Sequence, residues 1–113
     1  MKAGERGELM RIFIGESDRW EGRPLYEAIV SKAREAHLAG ATVLRGPMGF
    51  GKNSRLRTSK LLELSTDLPI LIEIIDTKDR IRAFLPVVDA MVDDGLVTLE
   101  AVEVIKYSGG GRC

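Results

Sequence analysis

Pro69-Ile70-Leu71-Ile72-Glu73-Ile74-Ile75-Asp76 is a nearly continuous apolar run bounded by a proline and an acid. Eight residues suit a strand and are too few for a typical helix, and the isoleucines favour extended backbone. Apolar residues at both parities predict a strand buried on both faces. Immediately after it, Thr77 is placed to cap a helix over Lys78–Met91. Ile81, Phe84, Leu85, Val88 and Met91 give that helix its apolar stripe. Pro86 lies inside the stripe and is expected to kink or divide it. Asp93-Asp94-Gly95 then turns the chain into a last strand, Leu96 to Tyr107.

Working upstream, Ala41 to Arg45 is a short strand, preceded by Gly40. A helix over Leu25–Ala39 carries Leu25, Ala28, Ile29, Ala33 and Ala36 at helical spacing. Pro24 suits its first position and Gly40 the position past its end. Before the helix, Gly15 to Arg23 is a polar loop containing Trp20, the single tryptophan. From Leu9 to Ile14, Met10, Ile12 and Ile14 alternate with Leu9, Arg11 and Phe13, which reads as a first strand.

The order is therefore strand, helix, strand, strand, helix, strand. This is an α+β chain with a ferredoxin-like βαββαβ arrangement: a four-stranded antiparallel sheet with two helices on one face. The 113 residues suit one domain. Residues 1–8 are expected to be a flexible N-terminus, 9–107 the domain and 108–113 a flexible tail. Two features call for a function. The connection Gly46 to Leu68 is far longer than a hairpin needs, and long loops in compact domains tend to be functional. The helix-free face of the sheet carries apolar residues from several strands, which predicts an oligomer.

Charge narrows the classes further. Seventeen basic residues balance seventeen acidic ones, which argues against general nucleic-acid affinity. One histidine and one cysteine, Cys113, cannot make a zinc site, so any metal would need carboxylates or a site shared between subunits. No run approaches the roughly 20 apolar residues of a membrane span, and no secretory hydrophobic stretch opens the chain. The expectation is a soluble, cytoplasmic protein without membrane insertion. Locally the balance breaks: Arg45, Lys52, Arg55, Arg57 and Lys60 fall in one segment without an acid.

Within that segment, Gly46-Pro47-Met48-Gly49-Phe50-Gly51-Lys52-Asn53 matches the phosphate-loop pattern G-x-x-x-x-G-K up to its final residue. Asn53 stands where a hydroxyl would ligate magnesium, and the run ending at Asp76 imitates the strand that often accompanies the motif. A P-loop hydrolase also needs a parallel sheet that this chain lacks, so no enzyme is expected. Two readings of the loop stay open on residue types alone. Its glycines and bases cradle a phosphate or other anion, or the glycines merely turn and the charges are solvated. Elsewhere, His37 reads as a surface residue near a helix end, and Glu16-Ser17-Asp18 as a solvated turn rather than a cation site. Phe50, Trp20 and Tyr107 each read equally as a base-stacking surface or a packing anchor.

Taken in order, Ile12-Phe13-Ile14-Gly15-Glu16-Ser17-Asp18, Pro24-Leu25-Tyr26, Gly40-Ala41-Thr42-Val43-Leu44-Arg45-Gly46, Gly49-Phe50-Gly51, Asp67-Leu68-Pro69 and Ile72-Glu73-Ile74-Ile75-Asp76 resemble the family catalogued as domain of unknown function 190. That family is similar to the PII signal proteins. The resemblance runs from about Leu9 to Tyr107. It implies a homotrimer whose sheets line an inner core, adenine nucleotides (ADP, ATP or AMP) bound between subunits, and a target protein contacted by the loop 46–68. Asp94-Gly95 is similar to the glycine turn that contacts phosphates in PII proteins, although Leu96 replaces the basic residue that follows it there. Lys106 falls where those proteins carry an arginine, and Ser108 replaces a second one.

The combined expectation is a signalling trimer without catalytic or metal-binding residues. Its ligand-binding residues are Arg45, Gly46, Gly49, Phe50, Gly51, Lys52, Arg55, Arg57, Gly95 and Lys106. The rival reading is a structural or adaptor trimer with no small ligand, and a third is a small enzyme using an inter-subunit cleft.

Overall fold

Four long strands carry the fold: β1 (Arg6–Gly15), β2 (Gly40–Arg45), β3 (Pro69–Asp76) and β4 (Leu96–Glu103). Helix α1 (Leu25–Glu35) joins β1 to β2, and α2 (Lys78–Met91) joins β3 to β4. The computed structural model describes residues 1, 4–51, 57–58 (backbone) and 67–109. The sheet is antiparallel throughout, in the order β2-β3-β1-β4. This is the expected ferredoxin-like α+β arrangement.

Met10, Ile12 and Ile14 from β1 and Ile70, Ile72 and Ile74 from β3 share one face of the sheet. With Leu25, Ala28 and Ile29 of α1 and Ile81, Phe84 and Val88 of α2 they form the core. The burial of β3 corrects the reading of its apolar run. Its residues alternate, with Ile70, Ile72, Ile74 and Asp76 buried and Pro69, Leu71, Glu73 and Ile75 half-buried. Within the single chain both helices cover the same face, which leaves the other parity half-buried.

On the open face the register lines up Leu44, Leu71, Phe13 and Leu96, one from each strand, in a continuous apolar row. Phe13, Leu44 and Leu96 are exposed. The next row holds Thr42, Glu73, Arg11 and Thr98. There Arg11 donates to Glu73 through Nε (3.0 Å) and to Glu100 through Nη1 (2.7 Å). The expected apolar surface is thus present as this one row, bordered by a polar row in which Arg11 is paired with two glutamates.

Several element ends differ from expectation. Helix α1 stops at Glu35 rather than Ala39, because His37 takes a left-handed φ of 58°. The amide of Leu38 then bonds back to the Ala33 carbonyl (3.1 Å) and that of His37 to Arg34 (3.0 Å), a Schellman closure without glycine. Arg80 of α2 completes the end by donating to the Ala36 and His37 carbonyls (2.8 and 2.7 Å). Pro24 is the N-cap residue, one position earlier than expected. Helix α2 runs through Pro86 undivided. Both Pro86 and Arg82 are exposed, so water can serve the Arg82 carbonyl that proline leaves without a donor. Strand β4 ends at Glu103 rather than Tyr107, because its ladder partner β1 begins at Arg6. No helix among the described residues is long and apolar enough to cross a membrane.

Strand β1 starts at Arg6, three residues before the expected Leu9. Glu8 lies on the core side at 5% exposure, held by Arg82 through Nε–Oε1 (2.7 Å) and Nη2–Oε2 (3.2 Å). The Arg82 hydrogen bond, more than its charge, keeps the Glu8 carboxyl below its ordinary value of 4.5, against the opposing effect of burial. A lowered folded-state pKa stabilises fully above the unfolded value and fades as the pH falls through the folded one. Glu8→Gln should therefore be less stable than the parent at neutral pH. The gap should close on acidification to about pH 3, as read by urea unfolding across the range. A gap independent of pH would assign the effect to packing.

Candidate functional site

Antiparallel pairing brings the ends of β1 and β2 to the same edge of the sheet as the starts of β3 and β4. Gly15 faces Pro69, Arg45 faces Ile70, and Phe13 faces Leu96 across the ladders. A cleft of about 990 Å³ opens there. Its floor is apolar, with Phe13, Leu44, Leu71 and Leu96 from the open-face row and Met48 and Phe50 from the start of the long connection. Phe50 is 70% exposed and is not among the residues packed on the chain's own core.

The turn after β1 pins both ends of that connection. Asp18 accepts the Gly15 N–H (2.9 Å) and closes the turn on itself. Glu16 then meets the exit end: its N–H donates to the Leu68 carbonyl (2.8 Å), and its Oε1 accepts the Leu68 N–H (3.4 Å). Asp67 accepts the Ser17 N–H (3.0 Å). At the entry end, Glu16 Oε2 pairs with Arg45 Nη2, and the Gly46 N–H donates to the Pro69 carbonyl (2.8 Å). Glu16-Ser17-Asp18 is a turn, as read from sequence, with the added task of a staple.

Two glycines of the connection have a packing reason, whereas a Cβ on Gly51 would meet nothing within 4 Å. A Cβ on Gly46 would stand 3.1 Å from the Pro69 ring, and one on Gly49 would stand 3.3 Å from it. Neither adopts a positive φ. Met48–Gly49 is extended and pairs with Arg57–Thr58, so the run continues into a hairpin. A P-loop wraps phosphate with left-handed backbone; among the described residues of this segment, Gly46 to Gly51, none has a positive φ. Asp76, which imitated the accompanying strand's acid, spends both oxygens at home. It accepts the N–H groups of Ala39 (2.8 Å) and Thr77 (2.6 Å) and is 1% exposed.

Of the ten residues expected to hold ligand, Arg45, Gly46, Gly49, Phe50, Gly51 and Gly95 all line the cleft. Lys52, Arg55 and the side chain of Arg57 lie outside the described residues. Lys106 stands at the opposite end of the sheet, beyond Glu103, whose ladder partner is Arg6; within one chain it cannot share a site with Gly95. Three acids outside the expected ten, Asp18, Asp67 and Asp94, also line the cleft, and Arg45 is the one base among its described lining. Asp94 sits beside Gly95 in the sequence, but Asp18 and Asp67 arrive only through the turn's hydrogen bonds. No three His, Cys, Asp or Glu side chains among the described residues are grouped to hold a metal.

Trp20 is a packing anchor, whereas Tyr107 stays 46% exposed and is tied through its hydroxyl. Trp20 packs against the core with the Lys32 ammonium 5.6 Å from its ring centre. Tyr107 donates to the Ala39 carbonyl (3.1 Å).

Residues 7–104 match the model of the family DUF190, described as Uncharacterized ACR. A UPF0166 protein of Aquifex aeolicus is 43% identical over 98 residues, covering 87% of this chain and 92% of that protein. A UPF0166 protein of Methanocaldococcus jannaschii is 28% identical over 102 residues, covering 89% and 94%. Among solved structures, the fold is similar to that of CPII, a nitrogen regulatory PII-like protein from Thiomonas intermedia bound to ADP, AMP and bicarbonate. The TM-score is 0.62 at 16% identity, over 90% of this chain and 91% of that one.

Proposed function

We propose that this chain, which belongs to the DUF190 family, works as a PII-like regulatory protein. In this reading it is a homotrimer and not an enzyme. It binds an adenine nucleotide or another phosphorylated small molecule between subunits and reports occupancy to a target protein through the connection 46–68. The observation that carries the reading is the cleft itself. It brings Arg45, Gly46, Gly49, Phe50, Gly51 and Gly95 together at the root of that connection. The apolar row beside it supports a neighbouring subunit there, since a surface of that kind is costly to leave in water. The ADP and AMP bound by CPII make adenine nucleotides the first ligands to try.

The second reading, an adaptor trimer with no small ligand, has its own support. Arg45 is already paired with Glu16, and Asp18, Asp67 and Asp94 give the described lining an acidic balance. Calorimetry with ADP, ATP and AMP, run beside light scattering, separates the two. The expected result is a trimer that binds at least one nucleotide, more weakly as salt rises. Replacing Lys52, Arg55 and Arg57 together by alanine should weaken binding about tenfold, three exposed charge contacts' worth, without unfolding the protein. A trimer that binds none of the three nucleotides would favour the adaptor, and a monomer would remove the inter-subunit site.

A further inference from the structure

Arg45 and Glu16 differ in how firmly they are held. The Arg45 side chain is 52% exposed and lines the cleft, whereas that of Glu16 is 21% exposed. Glu16 is tied at two atoms to Leu68, through its own N–H and through Oε1, and gives only Oε2 to Arg45. The carboxylate is therefore the fixed partner and the guanidinium the movable one. A planar guanidinium is also the group best suited to phosphate oxygens.

We infer that Glu16 competes with the ligand for Arg45 and so sets the anion affinity of the cleft. This rests on the nucleotide-site reading above and adds to it a specificity-determining residue. A phosphate oxygen that engages Arg45 takes the guanidinium from Glu16 Oε2, while Glu16 stays behind on the Leu68 N–H. Every binding event then includes the loss of one ion pair. The carboxylate left behind stands in a region already carrying Asp18 and Asp67, which disfavours a second anion nearby.

Glu16→Gln isolates this exchange, because the amide keeps the shape and the acceptor for Leu68 while removing the charge. With ADP as the probe, Glu16→Gln should bind about two- to fivefold tighter, the range of a single exposed ion pair. Arg45→Ala should bind more weakly than the parent. In the Arg45→Ala background the added Glu16→Gln change should tighten binding less than it does in the parent, because only the through-space repulsion is left to remove and there is no longer a guanidinium to release. Circular dichroism on each variant checks that the fold is intact. Unchanged or weaker binding in Glu16→Gln overturns the exchange, as does equal tightening with and without Arg45, which would be simple removal of a negative charge. If the parent binds none of ADP, ATP and AMP, the site reading fails and the exchange with it; if the parent binds and the cycle is flat, the exchange alone fails.

Discussion

Asp76→Ala is expected to lose up to about 2–6 kcal/mol of unfolding free energy, the upper cost of leaving two part-buried amides without acceptors at about 1–3 kcal/mol each. Asp76 is 1% exposed, so water cannot readily replace its oxygens at Ala39 (2.8 Å) and Thr77 (2.6 Å). Those bonds join the start of α2 to the segment leading into β2, and Arg80, 3.6 Å from Oδ2, carries the connection on to the end of α1. Domains of this kind have only about 5–15 kcal/mol in total, so the variant should be visibly fragile in urea. Asp76→Asn should fall between, since its amide oxygen serves one donor while its NH₂ group confronts the other. A loss below about 1 kcal/mol for the alanine variant would mean that water reaches the amides.

Gly95→Ala is the second large effect, and it separates a packing role from a ligand role. A Cβ at this position would meet the Phe13 carbonyl at 2.8 Å, Val92 Cγ1 at 2.9 Å and Ile14 Cγ2 at 3.0 Å. The first of these is backbone inside a paired strand and cannot swing aside. Its φ is not positive, so the cost is overlap and not dihedral strain. Overpacking of this kind costs about 1–3 kcal/mol, read as a lower urea midpoint. The displaced turn also carries Asp94 and Leu96, both of which line the cleft, so any nucleotide affinity of the proposed site should drop in parallel. Full stability with lost binding would assign Gly95 to ligand contact alone.

The strands and helices were legible because their signals are local. Alternation around Ile12, the isoleucines of Ile70–Ile75 and the Thr77 cap each need only neighbouring residues to be read. Misreadings fell where a distant partner decides. Glu8 looks like part of a polar leader until Arg82, 74 positions away, turns it into a core-side strand residue. His37 looks helical until Arg80 and the Leu38 amide close the turn around it. The cleft was half legible for the same reason. Arg45 to Gly51 is contiguous and stands out by composition, whereas Asp18, Asp67 and the ion pair from Glu16 to Arg45 exist only once β1 and β3 are side by side. Lys106 lies beyond the far end of β4, outside the cleft of its own chain, because the strand runs away from that edge.

Phe13, Leu44, Leu71 and Leu96 belong to two surfaces at once, the bare face of the sheet and the wall of the cleft. Apolar area yields its hydration free energy only once, at about 25 cal/mol per Å². Whatever part of these four side chains a neighbouring subunit covers is lost to a ligand, and the reverse holds equally. If the chain assembles and binds a ligand as proposed, the two events share one boundary and their free energies do not add. A ligand that fills the gap left between subunits tightens the assembly, whereas one that needs the whole wall loosens it.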